Sequence, residues 1–367
     1  MKQSLKKTCS RFFARLARFF GGEDVLNKAS NNKKGEKEEP VQQSEDKEKS
    51  IDSQQKKEGQ TMVIAASQAN VNISPNKKQP RKKPPDKSRN KIIREPTLLV
   101  RDPRDIRDVM ELMEVPFVAL SKNRTTPIIY ESLNGKSKVR ISCHPPYHVA
   151  SIYDWDIIIF VSSKLQEAIN SASDIPPRTL IVPRNDLIKA IYRHAGKTTD
   201  NEIEAALNRL SSTFIETTIH NEDYRYRGGF SFLDNWGYTE RKDVKEFRIT
   251  LSEWLYEITC TKGALLKVHP EYFKITSGLK RFLYRTARKH VGNQNDNWSF
   301  SIEKLYEKSG SEQEFKKFKY KLRIAVKDNN IPGYLMEWIE EDRNTSVRFT
   351  NMSKEINKIF FEKSEPK

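Results

Sequence analysis

Hydrogen-bond donors and cations recur at helical spacing near the C-terminal end of this 367-residue chain. Residues 312–328 are predicted to form a helix, because apolar residues recur along one face at helical periodicity, namely Phe315, Phe318, Leu322, Ala325 and Val326. The side chains that point away from this apolar stripe, or flank it, are Gln313, Lys316, Lys317, Tyr320, Lys321, Arg323 and Lys327. Such a face can donate to base edges and neutralise phosphates. The pattern favours DNA binding over the alternative of a solvated, lysine-rich helix packed on a core.

These outward side chains are assigned to two roles. The early outward residues of a helix in a major groove reach the base edges, and here they are Gln313, Lys317 and Tyr320. Phosphate contacts are assigned to three other cations of the helix and to one residue of the following hairpin, namely Lys316, Lys321, Arg323 and Arg343. An earlier predicted helix adds Arg281, Arg285 and Arg288. These three are either clamps on the DNA backbone or surface charges, and the clamp is slightly favoured.

Residues 277–333 supply the elements that would position these side chains. They are predicted to form a helix, a short strand, a second helix over 302–308, a turn at Gly310 and then the helix 312–328. Ser311 and Glu314 have the spacing of a capping box, which would start that last helix. Strands over 334–340 and 346–350 predict a hairpin that carries Arg343, and we expect it to be basic. This order is typical of a winged helix, with the hairpin as its wing.

The same order is predicted earlier in the chain. A helix capped by Asp154 is followed by a strand over 178–182, a helix over 186–194 and a helix that a Thr199–Glu202 capping box would start. Three strands follow, over 213–219, 230–238 and 244–251, and a helix over 252–259 links the halves. Upstream we expect a helix over 106–113 and strands over 115–120, 127–130 and 139–143, with a turn at Asn134–Gly135. The fold class is therefore α+β, with winged-helix domains at 103–260 and 261–360.

The first predicted module is less basic than the second. Lys197, Asn201 and Arg209 are its candidates for DNA contact. Glu202 and Glu204 near the start of its third helix would repel phosphate. We expect this module to contribute less to DNA binding and more to protein contacts, including a homodimer.

Most of the surplus positive charge lies before the predicted domains. The net charge is +17, and residues 1–95 hold 23 of the 66 Lys and Arg residues but only 12 of the 49 Asp and Glu residues. Residues 1–22 are interpreted as a basic amphipathic helix or a weakly folded tail, with the two alternatives about even. Residues 23–95 are predicted to be a disordered basic linker. Such an arm can hold phosphates without reading sequence.

Catalytic and metal-binding signals are weak. Gly196-Lys197-Thr198 resembles the end of a phosphate-binding loop, but Ile191 stands where that loop needs a glycine. Cys143, His144 and His148 have no fourth ligand at zinc-like spacing. We therefore expect no enzymatic activity and no cofactor. Three widely spaced cysteines, and the lack of a membrane-spanning run or signal peptide, favour a cytoplasmic protein.

Several stretches in order resemble a known family. They are EVPFVALSK at 114–122, YDWDIIIFVSS at 153–163, AALNRLSSTFIETTI at 205–219, FSFLDNW at 230–236, LSEWLY at 251–256 and RFLYRTARKHVG at 281–292, followed by SIEKLYEKSGSEQEFKKFKYKLR. Together they make residues 114–350 similar to the bacterial plasmid replication initiator protein A family. The resemblance implies tandem winged helices, sequence-specific binding to repeats in double-stranded origin DNA, and recruitment of host replication proteins such as a helicase or an initiator.

Other functions remain open at the level of sequence. Winged helices in this arrangement also fit a transcriptional regulator or a partition adaptor. A structural protein docked on a membrane or a partner depends on residues 1–20 alone. Repeated sites beside the gene would favour an initiator, whereas a single site overlapping a promoter would favour a regulator.

Overall fold

A computed structural model describes residues 97–99, 105–131, 137–171, 175–220, 225–242, 244–292, 297–341 and 344–352. The predictions for residues 1–22 and 23–95, the turn at Asn134–Gly135 and the role of Arg343 lie outside the described residues. Within them the chain is α+β, as predicted. The division into domains at residue 260 stays a prediction.

The elements before residue 261 include two four-stranded sheets and a long buried helix. In chain order they are β1 (Thr97–Leu99), β2 (Arg107–Val109), β3 (Ile128–Glu131), β4 (Ser137–Cys143), α1 (Trp155–Ser171), β5 (Thr179–Pro183), α2 (Arg184–Ala190), α3 (Lys197–Ser212), β6 (Thr213–His220), β7 (Arg225–Ser231), β8 (Leu233–Arg241), β9 (Val244–Leu251) and α4 (Glu253–Cys260). The sheets have the orders β1-β5-β9-β8 and β3-β4-β6-β7. The first eleven residues of α1 are all buried, so this helix lies in the core.

The elements after residue 260 include a three-stranded sheet. They are β10 (Leu265–Lys267), α5 (Gly278–His290), β11 (Asn297–Ser301), α6 (Ile302–Ser309), α7 (Phe315–Asp328), β12 (Tyr334–Glu341) and β13 (Asn344–Asn351). The sheet order is β11-β13-β12, and both pairings are antiparallel. Strand β10 pairs with β2, so this part of the chain is joined to the N-terminal part by backbone hydrogen bonds.

The predicted repeat of element order is present. One copy is α1-β5-α2-α3-β8-β9 and the other is α5-β11-α6-α7-β12-β13. In each copy the first strand pairs antiparallel with the last strand, and the last two strands form a hairpin. The first copy differs by the insertion of β6 and β7 between its third helix and its hairpin. The strand predicted over 230–238 is divided between β7 and β8 at Phe232.

Some local predictions are wrong for reasons that lie in distant parts of the chain. Residues 106–113 form β2 and a 3-10 helix at Glu111–Met113, because β10 supplies a strand partner from more than 150 residues away. Residues 115–120 form no strand; Ala119 makes one isolated bridge to Ser151. Pro116 has no backbone donor, which disfavours a continuous ladder there.

The two predicted capping boxes are also wrong. Helix α7 begins at Phe315 after Glu314, whose side chain makes no cap, while Ser311 Oγ accepts from Gln313 N at 3.2 Å within the preceding turn. Thr199 lies inside α3 and donates to His194 O. Serines do cap other helices, at Ser252, Ser277 and Ser301, each of which accepts from the backbone N–H three residues later.

Candidate nucleic-acid interface

Helix α7 has one buried face and one cationic face. Its buried side chains are Phe318, Leu322, Ala325 and Val326, spaced so that they share a single stripe. Six cations lie on the exposed remainder: Lys316, Lys317, Lys319, Lys321, Arg323 and Lys327. In the part of the chain that the structure describes, none of the six is paired with a carboxylate. The sole acidic residue of α7, Asp328, forms an ion pair with Lys280, with 2.8 Å between Oδ2 and Nζ.

The start of α7 differs in detail from the predicted helix 312–328. Gln313 precedes the helix and is half-buried, with its backbone oxygen accepting from Tyr306 Oη at 2.7 Å. Phe315, expected in the buried stripe, is 36% exposed and meets the Tyr306 ring edge-on. The first turn of α7 carries no acidic side chain. Its free N–H groups therefore add to the positive potential of the lysines.

Arg124 fixes the turn between α6 and α7, and sequence reasoning missed it. This buried arginine donates to the backbone oxygens of Gly310, Thr126 and Pro127, the last at 3.0 Å. Gly310 has φ +57°, and a Cβ added there would lie 2.8 Å from Pro116 Cβ. The turn is therefore held against residues 116–127, so the start of α7 has a defined position. A lone arginine in a polar loop gives no sequence signal of this role.

The hairpin β12–β13 is not basic where it is described. Glu337, Glu340 and Glu341 are exposed on β12, and only Arg348 on β13 opposes them in charge. The prediction of a basic hairpin is therefore wrong for these strands, because their three carboxylates outnumber the one arginine. The net negative charge would repel the phosphates of DNA. Arg323 of α7 lies over the Trp338 ring at 5.7 Å, so the hairpin holds this cation in place.

Arg281 and Arg285 of α5 are not surface clamps. Arg281 Nη1 donates to Asp156 Oδ1 at 2.6 Å, and its other nitrogens donate to the backbone oxygens of Ile275 and Phe273. Arg285 Nε donates to Asp108 Oδ2 at 2.8 Å. Both guanidinium groups are buried and their charges are matched internally, which corrects the prediction that they hold DNA. Arg288 is partly exposed and donates from Nε to Lys267 O.

Helix α3 of the first copy has a different surface. Lys197 and Asn201 are exposed, as their predicted roles require. Arg209 instead donates from Nε and Nη2 to the two carboxylate oxygens of Asp154, at 2.9 and 2.8 Å. This bidentate pairing raises the pKa of Arg209 and occupies its donors, so the predicted DNA contact is replaced by a structural one. Asp200 pairs with Arg184 and Glu202 with Arg193, and Lys197 is the one exposed cation of α3.

A second buried charge cluster lies where α5 and α6 meet the N-terminal segment. Glu114 is paired with Lys308 Nζ at 2.6 Å and with Lys289 Nζ at 2.9 Å. Burial raises the pKa of Glu114, but the two lysines outweigh this effect and hold the net pKa below its ordinary value. The cluster joins three segments far apart in sequence, so it is a structural centre and not a surface site.

In the described ranges, no group of three or more His, Cys, Asp or Glu side chains is placed to hold a metal ion. Among those same residues, no helix combines the length and the apolar character needed to cross a bilayer. An open groove of about 510 Å³ lies beside α7, between the start of α5 and the segment that contains Leu120 and Arg124.

The fold and this surface define a class of protein: an α+β chain with a repeated helix–strand–helix–helix–hairpin unit, whose second copy presents a cationic helix. The family model described as "Replication initiator protein A" matches residues 107–336. The chain belongs to the replication initiator protein A family, as its motifs predicted.

One sequence relative agrees with this membership, and two solved structures are similar to the chain. A protein of Wigglesworthia glossinidia brevipalpis, described as a "Putative replication protein", is 34% identical over 227 residues, which are 60% of this chain and 81% of the relative. A crystal structure of domains 2 and 3 of RctB matches with a TM-score of 0.50 and 13% identity, over 66% of this chain and 98% of that one. A second RctB structure, of domains 2–3, has a TM-score of 0.45 and 12% identity, over 68% and 99%. The first of these structural matches indicates a shared fold.

Proposed function

We propose that this protein is a plasmid replication initiator that binds repeats in double-stranded origin DNA sequence-specifically. In this proposal residues 278–351 act as a winged helix, and α7 is the helix that enters the major groove. The observation that carries the proposal is the exposed cationic face of α7, whose six cations have no carboxylate partner among the described residues. An unneutralised face of this kind attracts anionic partners, and family membership favours DNA.

The dimensions and chemistry of α7 suit this role. Its 14 residues extend about 21 Å, and the major groove is wide enough to admit one α-helix. Gln313 lies just before the helix, and Lys317 and Tyr320 lie in its first half, where side chains reach base edges. Lys316, Lys321 and Arg323 surround them and are assigned to phosphates. The Arg323 side chain is ordered by its contact with the Trp338 ring, so less conformational entropy is lost when it binds a phosphate.

The first copy is proposed to serve protein contacts. Its helix α3 exposes Lys197 and Asn201 but also carries acidic residues, so its electrostatic attraction to DNA is weaker. We assign to this copy the recruitment of host replication proteins, a helicase or an initiator, and the contact of a homodimer. The acidic hairpin β12–β13 is a second surface suited to a basic protein partner.

We also propose that the protein acts in the cytoplasm by binding and not by catalysis. Gly196-Lys197-Thr198 begins α3 and is preceded by α2, whereas a phosphate-binding loop follows a strand. Purified protein should neither hydrolyse ATP nor nick supercoiled origin DNA. Magnesium-dependent nicking that persists through repurification, and that one tyrosine substitution abolishes, would refute this part of the proposal.

A footprint on the DNA that flanks the gene tests the binding function directly. We expect protection of several repeated sites, and the Lys317→Ala/Lys321→Ala double variant should lose at least tenfold in affinity for them. The matched control is Lys138→Ala/Lys262→Ala, which removes the same charge from exposed lysines outside α7. Equal losses in the two variants would mean that α7 is not the reader. One protected site overlapping a promoter would favour a transcriptional regulator.

A further inference from the structure

The exposed ridge of α7 is not purely cationic. Tyr320 is 68% exposed and Ile324 is 44% exposed, and they lie one helical turn apart. Each is two residues from the buried Leu322, so each points about 160° around the helix from it. Lys316 and Lys327 flank them along the same ridge, and both are exposed. Two large apolar side chains therefore occupy the middle of the surface that faces an anionic partner.

We infer that Ile324 and Tyr320 contact the methyl groups of thymines, so that the bound sites contain thymine at two set positions. This inference rests on the proposed binding of α7 in a major groove. Isoleucine has no hydrogen-bond donor or acceptor in its side chain, so it cannot pair with a phosphate or a polar base edge. The apolar group that base pairs present in the major groove is the C5-methyl of thymine. A cationic rim with an apolar centre thus fits thymine-containing duplex DNA.

The spacing of the two residues constrains where the thymines lie. Residues four apart in a helix are separated by about 6 Å along its axis. Successive base pairs are about 3.4 Å apart. If α7 lies along the groove, the two methyl groups should therefore be about two base pairs apart. Lys317, between them and the start of the helix, remains available for a neighbouring base.

Uracil substitution tests the inference, because uracil differs from thymine only by the missing methyl group and pairs in the same way. The full-length protein is used to select its preferred duplex from a randomised library, and each thymine of the selected duplex is then replaced singly by uracil. We expect about a fourfold loss of affinity at each of two positions, as one buried methyl group predicts. Ile324→Ala should abolish the loss at one position and Tyr320→Ala the loss at the other.

Ile129→Ala is the matched control, since Ile129 is 61% exposed on β3, outside α7. It should keep both thymine effects. The inference fails if no single uracil weakens binding, or if Ile324→Ala weakens thymine and uracil duplexes equally, which would indicate that the ridge packs against a protein segment. In either case specific binding persists and the proposed function stands. Selection of no preferred duplex at all would instead overturn the proposed function.

Discussion

Arg281 and Asp156 form a buried ion pair, with 2.6 Å between Nη1 and Oδ1, although they are 125 residues apart in sequence. Arg281 belongs to α5 and Asp156 to α1, the first helices of the two repeated units. A second buried pair joins Arg285, also on α5, to Asp108 of β2. Removing one member of such a pair leaves an uncompensated charge in the core, which costs far more than the pair itself contributes. The position of α5 is thus set by the interior and not by DNA.

Arg281→Ala should lower the free energy of unfolding by about 3–5 kcal/mol, because Asp156 would remain buried without its cation. Urea unfolding followed by circular dichroism measures this loss. Lys316→Ala, an exposed change on α7, should cost less than about 0.5 kcal/mol. If Arg281→Ala were as stable as Lys316→Ala while losing DNA affinity, the arginine would be a clamp after all.

The stability contribution of Asp156 should depend on pH in a defined direction. Burial raises the pKa of Asp156 to about 6, despite the opposing effect of Arg281. Between its ordinary value of 3.8 and about 6, the folded protein therefore holds a proton that the unfolded chain releases. The stability of the wild type relative to Asp156→Asn should fall by about 3 kcal/mol as pH rises through this window. Urea unfolding of both proteins at four pH values between 4 and 7 measures the difference.

Glu114→Gln provides the control of opposite sign. Because the pKa of Glu114 lies below its ordinary value, its stabilising contribution is present at neutral pH and is lost on acidification. The stability of the wild type relative to Glu114→Gln should therefore rise with pH. If both stability differences, wild type against Asp156→Asn and wild type against Glu114→Gln, changed with pH in the same direction, the direction of the pKa shift given for one of the two carboxylates would be wrong.

Lys317 and Lys321 should differ in their effect on DNA binding, although both are exposed lysines of α7. Lys317→Ala should cost about 1–3 kcal/mol on the specific site and relax the preference at one base. Gln313→Ala should act in the same way if its side chain reaches a base from the preceding turn. Lys321→Ala should weaken specific and random DNA alike and reduce the salt slope by about one. Titrations at four salt concentrations separate these outcomes, and identical profiles would show that the two lysines share one role.

Arg209→Ala should destabilise the fold without changing the salt slope of binding. Arg209 is the bidentate partner of the buried Asp154, so its removal leaves that carboxylate without a cation. Lys197→Ala on the same helix α3 is the surface control and should leave stability unchanged. A normal melting temperature for Arg209→Ala, combined with a reduced salt slope, would restore Arg209 to the DNA surface.

The sequence predicted those helices and strands whose hydrophobic periodicity comes from residues close together in the chain. The stripe of Phe318, Leu322, Ala325 and Val326 is visible without a structure, and so is the alternation that makes β12 and β13 a hairpin. Element order in both repeats followed from such signals. The capping boxes did not, because more than one hydroxyl side chain stands near each helix start, Ser309 and Ser311 before α7 and Thr198 and Thr199 at α3, and the backbone path decides among them.

The roles of individual arginines could not be predicted from their own surroundings. Arg281, Arg285 and Lys317 all lie on basic helices, yet the first two are buried and the third is exposed. What separates them is the presence of aspartates more than 120 residues away in sequence. One signal was available: Asp156 lies inside the apolar run WDIIIF, and a buried carboxylate requires a cationic partner. That reasoning predicts a partner but not its identity.

Deletion of residues 1–95 should reduce total DNA affinity but not sequence preference. These residues precede the family match at 107–336, yet they hold 23 of the 66 Lys and Arg residues. Their attraction to phosphates is independent of base sequence, so the deletion should weaken specific and random DNA by the same factor and lower both salt slopes. Replacing the segment with a scrambled sequence of equal composition should restore the affinity, because charge and not order is responsible. Circular dichroism should show an unchanged fold. A fall in the ratio of specific to random binding, not corrected by the scrambled segment, would show that residues 1–95 contribute to site recognition.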